Sequence, residues 1–387
     1  MKTLFFINLM VSLGFSMSDA YFSVYVSSLG ARGMIFASAI GLYAASKIIF
    51  SPVAGVLCDR FSSRRLIIVS TAIYAMIAML YMSSTNLLIV TALRMLQGVG
   101  TAIFRPVLLS AAGSRTPRGR RASSLGAFDV SFYLATAIGP VLGGLVKDFA
   151  GYTGLFIMLL LLCLAALAAA MFRLSPVDIK DRETDRSIPM SAIIRNPVIA
   201  SLLFFIFGRA FTTATICIFL PVYLVSGLGC SGVKTGLAIS ATTLFMMILL
   251  KPMGRLADRL DRRNMILWGG GYVSLLVFVL PDVGGYYGVL TVCACIGLFS
   301  AMSQPASSSL LVEEGEKTAL GRTAGMFNCV LNLGFASASA IGTAIYSALG
   351  VRAVFYSAAF VSAVAMIICS LLIFCREEEP VADIKTV

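Results

Sequence analysis

Long apolar runs cut by short polar punctuation dominate this chain. A bilayer span needs about 20 consecutive apolar residues. Clusters of charge, glycine and proline divide the sequence into twelve runs of that order, at roughly 4–26, 34–58, 66–83, 87–112, 122–146, 152–172, 198–224, 233–257, 265–281, 286–312, 320–346 and 351–375. The first run follows Lys2 as a secretory leader would, but it is too long and lacks a small-residue cleavage site, so it reads as a retained helix. The longest polar break, RLSPVDIKDRETDRSIPMSAIIRNP at 173–197, separates six runs from six. The expected fold is an all-α membrane protein of twelve transmembrane helices in two pseudo-symmetric six-helix bundles, 1–172 and 198–375. A cytoplasmic linker at 173–197 and a cytoplasmic tail at 376–387 complete the organisation.

A single offset of 199 residues aligns the halves. Gly55, Leu57, Asp59, Arg60 and Arg64 fall on Gly254, Leu256, Asp258, Arg259 and Arg263. Pro106 falls on Pro305, Gly126 and Phe128 on Gly325 and Phe327, and Gly143, Gly151 and Phe156 on Gly342, Gly350 and Phe355. So long a series implies two homologous bundles of one orientation, a plan in which the binding site lies between the halves near the midplane.

Composition strengthens the membrane reading. Of 387 residues 59% are hydrophobic and only 12% charged. The net charge of +12 raises the question of nucleic acid, and its distribution answers against it. Of 30 Lys and Arg, 22 fall in the amino-terminal end, the even-numbered connections and the tail. Four lie in odd-numbered connections (Arg32, Lys147, Lys234, Arg352) and four inside spans. Positive charge concentrated on one side of a membrane is a topology signal, so both termini are expected in the cytoplasm, with short loops pointing to a bacterial inner membrane. Nine scattered cysteines are expected as free thiols, and Cys293 and Cys295 point in different directions on a helix. There is no histidine, which removes the commonest transition-metal ligand and leaves carboxylates to carry any proton. No phosphate-binding loop or catalytic motif is present, so enzyme activity, ATP-driven transport by this chain alone and a cofactor are not expected.

GVLCDRFSSRR (55–65) and GRLADRLDRR (254–263) resemble the motif between helices two and three of the major facilitator superfamily, G-x-L-a-D-r-x-G-r-k. RMLQGVGTA (94–102) resembles that superfamily's Arg-x-x-Gln-Gly motif in helix four, carried here by Arg94 and Gln97. GAFDVSFYLATAIGPVLGG (126–144) is similar to the antiporter motif of its drug:proton subfamilies: Gly126, Gly139, Pro140, Gly143 and Gly144 match, and only Ala135 departs. Ser62 and Ser63 stand where the first loop motif has Gly-Arg, and Asp261 stands where the second has glycine, so both places lack the glycine that favours a tight turn. The resemblance spans essentially the whole chain and implies the twelve-helix fold, alternating access and export by antiport. It says little about substrate.

The motif residues invite physical roles. Gly55, Asp59, Arg60, Arg64 and their counterparts Gly254, Asp258, Arg259 and Arg263 are read as gating loops whose carboxylates latch one state by meeting helix termini or arginines. The alternative is simple anchoring at the interface. Gly139, Pro140, Gly143 and Gly144 give the fifth span a bare face, read as a sealed hinge between bundles or as ordinary small-residue packing.

Ionisable residues inside spans mark pathways. These are Asp19, Lys47, Arg94, Arg105, Asp129 and Arg209, with Gln97 beside them. Asp129 and Arg105 lie at similar depth on adjacent helices, where an ion pair is expected. Arg94 and Arg105, eleven residues apart, share a helix face that is expected to line a cavity. At the equivalent positions of the second half stand Asn328 and Gln304, with Asn332 one turn on, so charge is replaced there by neutral polarity. The carboxylates either carry a coupled proton or fix helix register as permanently paired groups; for Asp19 no partner is evident.

The expected protein is a proton-coupled exporter of a small organic solute, working as a monomer in the lipid bilayer. Four basic residues against two acids within spans favour an anionic or zwitterionic solute. Uptake by symport uses the same scaffold, and a non-transporting receptor or scaffold is the alternative from another class.

Overall fold

Asn196 and Asp261 show how polar punctuation ends the connections and starts helices. Asn196 Oδ1 accepts from the amides of Val198 (3.0 Å) and Ile199 (3.4 Å), with Pro197 following it. Asp261 accepts from the amide of Arg263 (3.0 Å), so the residue that replaces a motif glycine works as a helix N-cap.

The computed structural model describes residues 2–31, 33–114, 121–174, 196–257, 259–317 and 320–374. Its helices are α1 (Lys2–Ser28), α2 (Gly33–Arg60), α3 (Ser63–Ser83) and α4 (Leu87–Ser114). The stretch Arg121–Arg173 follows, divided at Gly151 (φ 65°, ψ −164°) into α5 (121–150) and α6 (152–173). Next come α7 (Pro197–Val222), which runs into a π turn at Tyr223–Gly227, then α8 (Gly232–Ala257) and α9 (Arg262–Val279). The last three are α10 (Gly285–Lys317), α11 (Leu320–Leu349) and α12 (Val351–Phe374).

Twelve helices among the described residues therefore match the twelve apolar runs, with ends shifted by a few residues. Ten stretches are long and apolar enough to cross a membrane; one of them, Val130–Arg173, holds two helices across the Gly151 break, and α2 contributes a shorter apolar segment, Ser38–Phe50. Large apolar side chains stand exposed around the outside, among them Leu88, Phe149, Phe172, Trp268 and Leu371, as a lipid-facing surface requires.

One set of packing contacts occurs twice. α1 packs on α5 and α2 on α4, while α7 packs on α11 and α8 on α10; α3 lies on α4 as α9 lies on α10. Repeat-related glycines behave alike. Gly151 and Gly350, 199 residues apart, both adopt positive φ (65° and 82°) where one helix must end and the next begin at once. A Cβ at Gly98 would strike the carbonyl of Tyr43, and one at Gly297 that of Thr242, again a pair 199 apart. Between the first six and last six helices the contacts run through α5–α8, α2–α11 and α1–α7. Phe36 of α2 reaches Phe219 of α7 and Tyr346 of α11, with ring centroids 6.4 and 5.8 Å away, at the end that carries the odd-numbered connections.

One placement differs from the sequence reading. Gly55, Asp59 and Arg60, read as a gating loop, lie on the last turns of α2, which continues to Arg60. Gly254 likewise lies on α8.

Candidate functional site

The first four helices build a polar network inside an otherwise apolar bundle. Arg94 on α4 donates through Nη1 to Asp19 Oδ1 on α1 at 2.6 Å and to Gln97 Oε1 at 2.9 Å. Gln97 Nε2 donates to the same Asp19 Oδ1 at 3.3 Å, and Tyr81 of α3 donates to Gln97 Oε1 at 3.3 Å. Thr101, one turn on, returns its hydroxyl to the Gln97 carbonyl and accepts from Tyr74 at 3.2 Å. The guanidinium carbon of Arg94 sits 4.1 Å from the Phe22 ring centroid and 4.7 Å from that of Tyr43, so two aromatic faces support the charge. The partner missing for Asp19 in the sequence reading is therefore Arg94.

The two ions of this pair live in different surroundings. The Arg94 side chain is 8% exposed and that of Asp19 34%. Arg94 is thus enclosed within its bundle, and the shared face expected to open both Arg94 and Arg105 to a cavity does not hold for Arg94. Asp19 takes every one of its protein hydrogen bonds on Oδ1; among the described residues Oδ2 has none. One carboxylate oxygen is held and the other is left without a protein donor among the described residues. At 1.5 Å rise per residue the network lies about 10–14 Å inside the odd-loop end.

A second group of cations lies deeper. Lys47 on α2, half-buried, has no hydrogen-bond or ion-pair partner among the described residues, and the same holds for half-buried Arg209 on α7. Arg105 places its guanidinium carbon 4.1 Å from the Phe132 ring centroid on α5. Asp129, its expected partner, and Gly126 have side-chain positions outside the described residues, so that pair does not enter the geometry.

The bare face of α5 packs as the Gly-Pro motif foretells. A Cβ at Gly139 would sit 2.5 Å from the Ser16 side chain, and one at Gly143 2.5 Å from the Met17 carbonyl, both on α1. Gly144 meets the backbone of Gly232 on α8, and the Pro140 carbonyl stands where a Cβ on Gly236 would go. The Tyr21 hydroxyl lies 2.8 Å from the Pro140 carbonyl and 2.7 Å from that of Gly232, with a single proton to donate between them. Asp148 accepts from the amides of Gly232 (2.8 Å) and Val233 (3.0 Å), the first donors of α8. A carboxylate in the last turn of α5 opposes its own helix dipole and complements that of α8. Tyr21 and Asp148 were not singled out from the sequence. Asp148 carried a faint signal, since it follows Gly144 by one turn.

The remaining candidates disperse. Arg64 Nη2 donates to the Met171 carbonyl at 2.6 Å, a cation at the carboxyl end of α6. Asp59 and Arg60 have side chains outside the described residues, as does Asp258 altogether. Arg259 is exposed, and Arg263 contributes its amide to the Asp261 cap. Gln304 keeps a buried Oε1 without a partner among the described residues. Asn332 is occupied with the Asn328 carbonyl of its own helix at 2.8 Å.

Sequence and structure comparisons agree with this architecture. The family profile named Major Facilitator Superfamily matches residues 4–330 and 235–386. An MFS-type transporter of Methanocaldococcus jannaschii is 24% identical over 332 residues, 83% of this chain and 84% of its own. The multi-drug resistance efflux pump PmrA of Streptococcus pneumoniae is 24% identical over 376 residues, 92% of each chain. The crystal structure of the nucleoside transporter NupG superposes with a TM-score of 0.76 at 11% identity, covering 96% of this chain and 99% of that one.

Proposed function

Because the chain belongs to the major facilitator superfamily, and is a multi-pass membrane transporter of small molecules and not an enzyme, we propose that it exports a small organic solute in exchange for protons. The observation that carries the proton is Asp19, with Oδ1 on Arg94 and Oδ2 without a protein donor among the described residues. A carboxylate within reach of a guanidinium stays ionised, and one drawn away from it into low dielectric takes up a proton. Rocking of 1–172 against 198–375 about the α5–α8 contact would alternate these conditions, with Asp129 and Arg105 as a second pair nearer the even-numbered connections and Asp59 and Asp258 as latches at that end. Export is favoured because relatives are named as efflux pumps. Basic residues concentrate on the even-numbered connections, which supports a cytoplasmic side for that end and both termini, in a bacterial inner membrane. The charge balance within the spans favours an anionic or zwitterionic solute.

Proteoliposomes loaded with a pH-reporting dye test this reading with ethidium, isophthalate and phenyl phosphate as solutes. Antiport moves protons against the solute, and Asp19→Asn and Asp129→Asn each abolish that movement. Protons that travel with the solute would make the chain a symporter, and binding without flux in any gradient would make it a receptor; either result overturns the proposal.

A further inference from the structure

Lys47 and Arg209 sit at matching depth on opposite sides of the six-plus-six division. Lys47 is the fifteenth residue of α2 and Arg209 the thirteenth of α7, so each lies about 20 Å from either end of its helix. Neither has a counter-ion among the described residues. An unpaired ammonium or guanidinium at this depth is costly, and such groups persist where they face water or await an anion.

Their neighbours link them through α4 and α5. Lys47 is close enough to Arg105 for the two charges to repel. Arg105 lies over Phe132, whose ring is 5.8 Å from that of Tyr133, and Tyr133 is within electrostatic reach of Arg209. Tyr133 is half-buried, and its hydroxyl has no partner among the described residues. Arg105 of α4 therefore rests on an aromatic pair of α5, with Lys47 of α2 near Arg105 and Arg209 of α7 near Tyr133.

Charge within the spans settles what fits. Asp19 neutralises Arg94. Even with Asp129 neutralising one more cation, two of the four basic residues stay uncompensated. The geometry points to a binding site for an organic anion whose carboxylate or phosphate group bridges Lys47 of the first half and Arg209 of the second, with Tyr133 as a further donor and Phe132 as the platform for an apolar body. Guanidinium matches the planar fork of carboxylate and the oxygens of phosphate, and lysine adds a point charge. An anion held from both halves draws them together at mid-depth, which a cation in the same place would not do. This site rests on the transport reading above and narrows its substrate class.

The test is equilibrium binding to the purified full chain in detergent, followed by thermal unfolding. Phenyl phosphate and isophthalate serve as anionic probes, with benzamide and benzylammonium as neutral and cationic controls of similar body. The wild type binds the anions in preference to both controls. Lys47→Met and Arg209→Gln each weaken anion binding by about tenfold or more while control binding is unchanged, as loss of one charged hydrogen bond implies. Lys47→Arg retains binding, and Lys47→Glu with Arg209 intact removes the anion preference. Failure of both anions to bind at millimolar concentration, or a preference indifferent to Lys47 and Arg209, overturns the site. Nanodiscs made with phosphatidylglycerol separate a solute from a lipid headgroup: unchanged phenyl phosphate affinity supports the solute site, and displacement by the lipid overturns it. Because these readouts need no gradient, they are independent of flux. Anion binding without transport sinks the carrier reading alone, and proton-coupled transport without anion preference sinks this inference alone.

Discussion

Asp19→Asn and Arg94→Met break one 2.6 Å contact, yet they should cost different amounts. Removing one partner from a buried pair costs about 3–5 kcal/mol because the survivor is left charged and unsolvated. In Asp19→Asn the survivor is Arg94, 8% exposed. It keeps Gln97 Oε1 at 2.9 Å and the faces of Phe22 and Tyr43, which return about 1–2 kcal/mol. The net loss is about 1–4 kcal/mol, centred near 2.5, taking the difference of those two ranges. In Arg94→Met the survivor is a carboxylate 34% exposed, with one oxygen lacking a protein donor among the described residues and Gln97 Nε2 at 3.3 Å. Water and a proton are both available to it, so the loss falls to about 1 kcal/mol, close to that of an exposed pair. Denaturant unfolding of the purified full chain in detergent, without solute, measures both. The double variant should cost less than the sum of the singles by about 1–2 kcal/mol, since the stranded charge has gone. Equal losses, a larger loss for Arg94→Met, or simple additivity would refute the claim that unequal burial of the two ions governs this pair.

Three further outcomes follow from the packing. Tyr21→Phe removes the hydroxyl shared by Pro140 and Gly232 and should lower stability by about 1 kcal/mol, with faster hydrogen exchange at the amides of the first turn of α8 by mass spectrometry. Gly144→Val places a branched side chain against the Gly232 backbone; it should cost about 1–3 kcal/mol as overpacking and slow solute flux in proteoliposomes more than Ile138→Val on the exposed side of α5. Asp261→Ala removes the cap of α9 and should lower the unfolding free energy by about 1 kcal/mol while leaving flux intact, and a loss of flux would show that this end of α9 takes part in gating.

The architecture was legible because its signal is long-range and redundant. Twelve apolar runs and a 199-residue offset each recur along the whole chain, and Gly151 and Gly350 carry the repeat down to the sign of φ. The Gly-Pro face of α5 was legible for a different reason, since only glycine allows the approach seen at Gly143 and Gly144. The Asp19–Arg94 contact was not legible. Its residues are 75 positions apart on helices that a hydropathy pattern cannot orient about their axes. Tyr43 and Tyr81 escaped notice because tyrosine in an apolar run looks the same whether it supports an ion or faces lipid. Loop assignments failed for Asp59 and Arg60, where charge was taken as the end of α2; charge at a membrane boundary does not itself end a helix, and α2 runs on to Arg60.

Tyr21 has a mechanical consequence. Its one proton has two carbonyls to choose from, Pro140 in its own half and Gly232 in the other. When the halves separate at this end, the hydroxyl can turn wholly to Pro140 and forgo nothing, whereas Asp148 must exchange two amides for water. In the proposed rocking cycle Tyr21 would act as a swivel, and Asp148 as the catch that sets how firmly the odd-connection end stays shut.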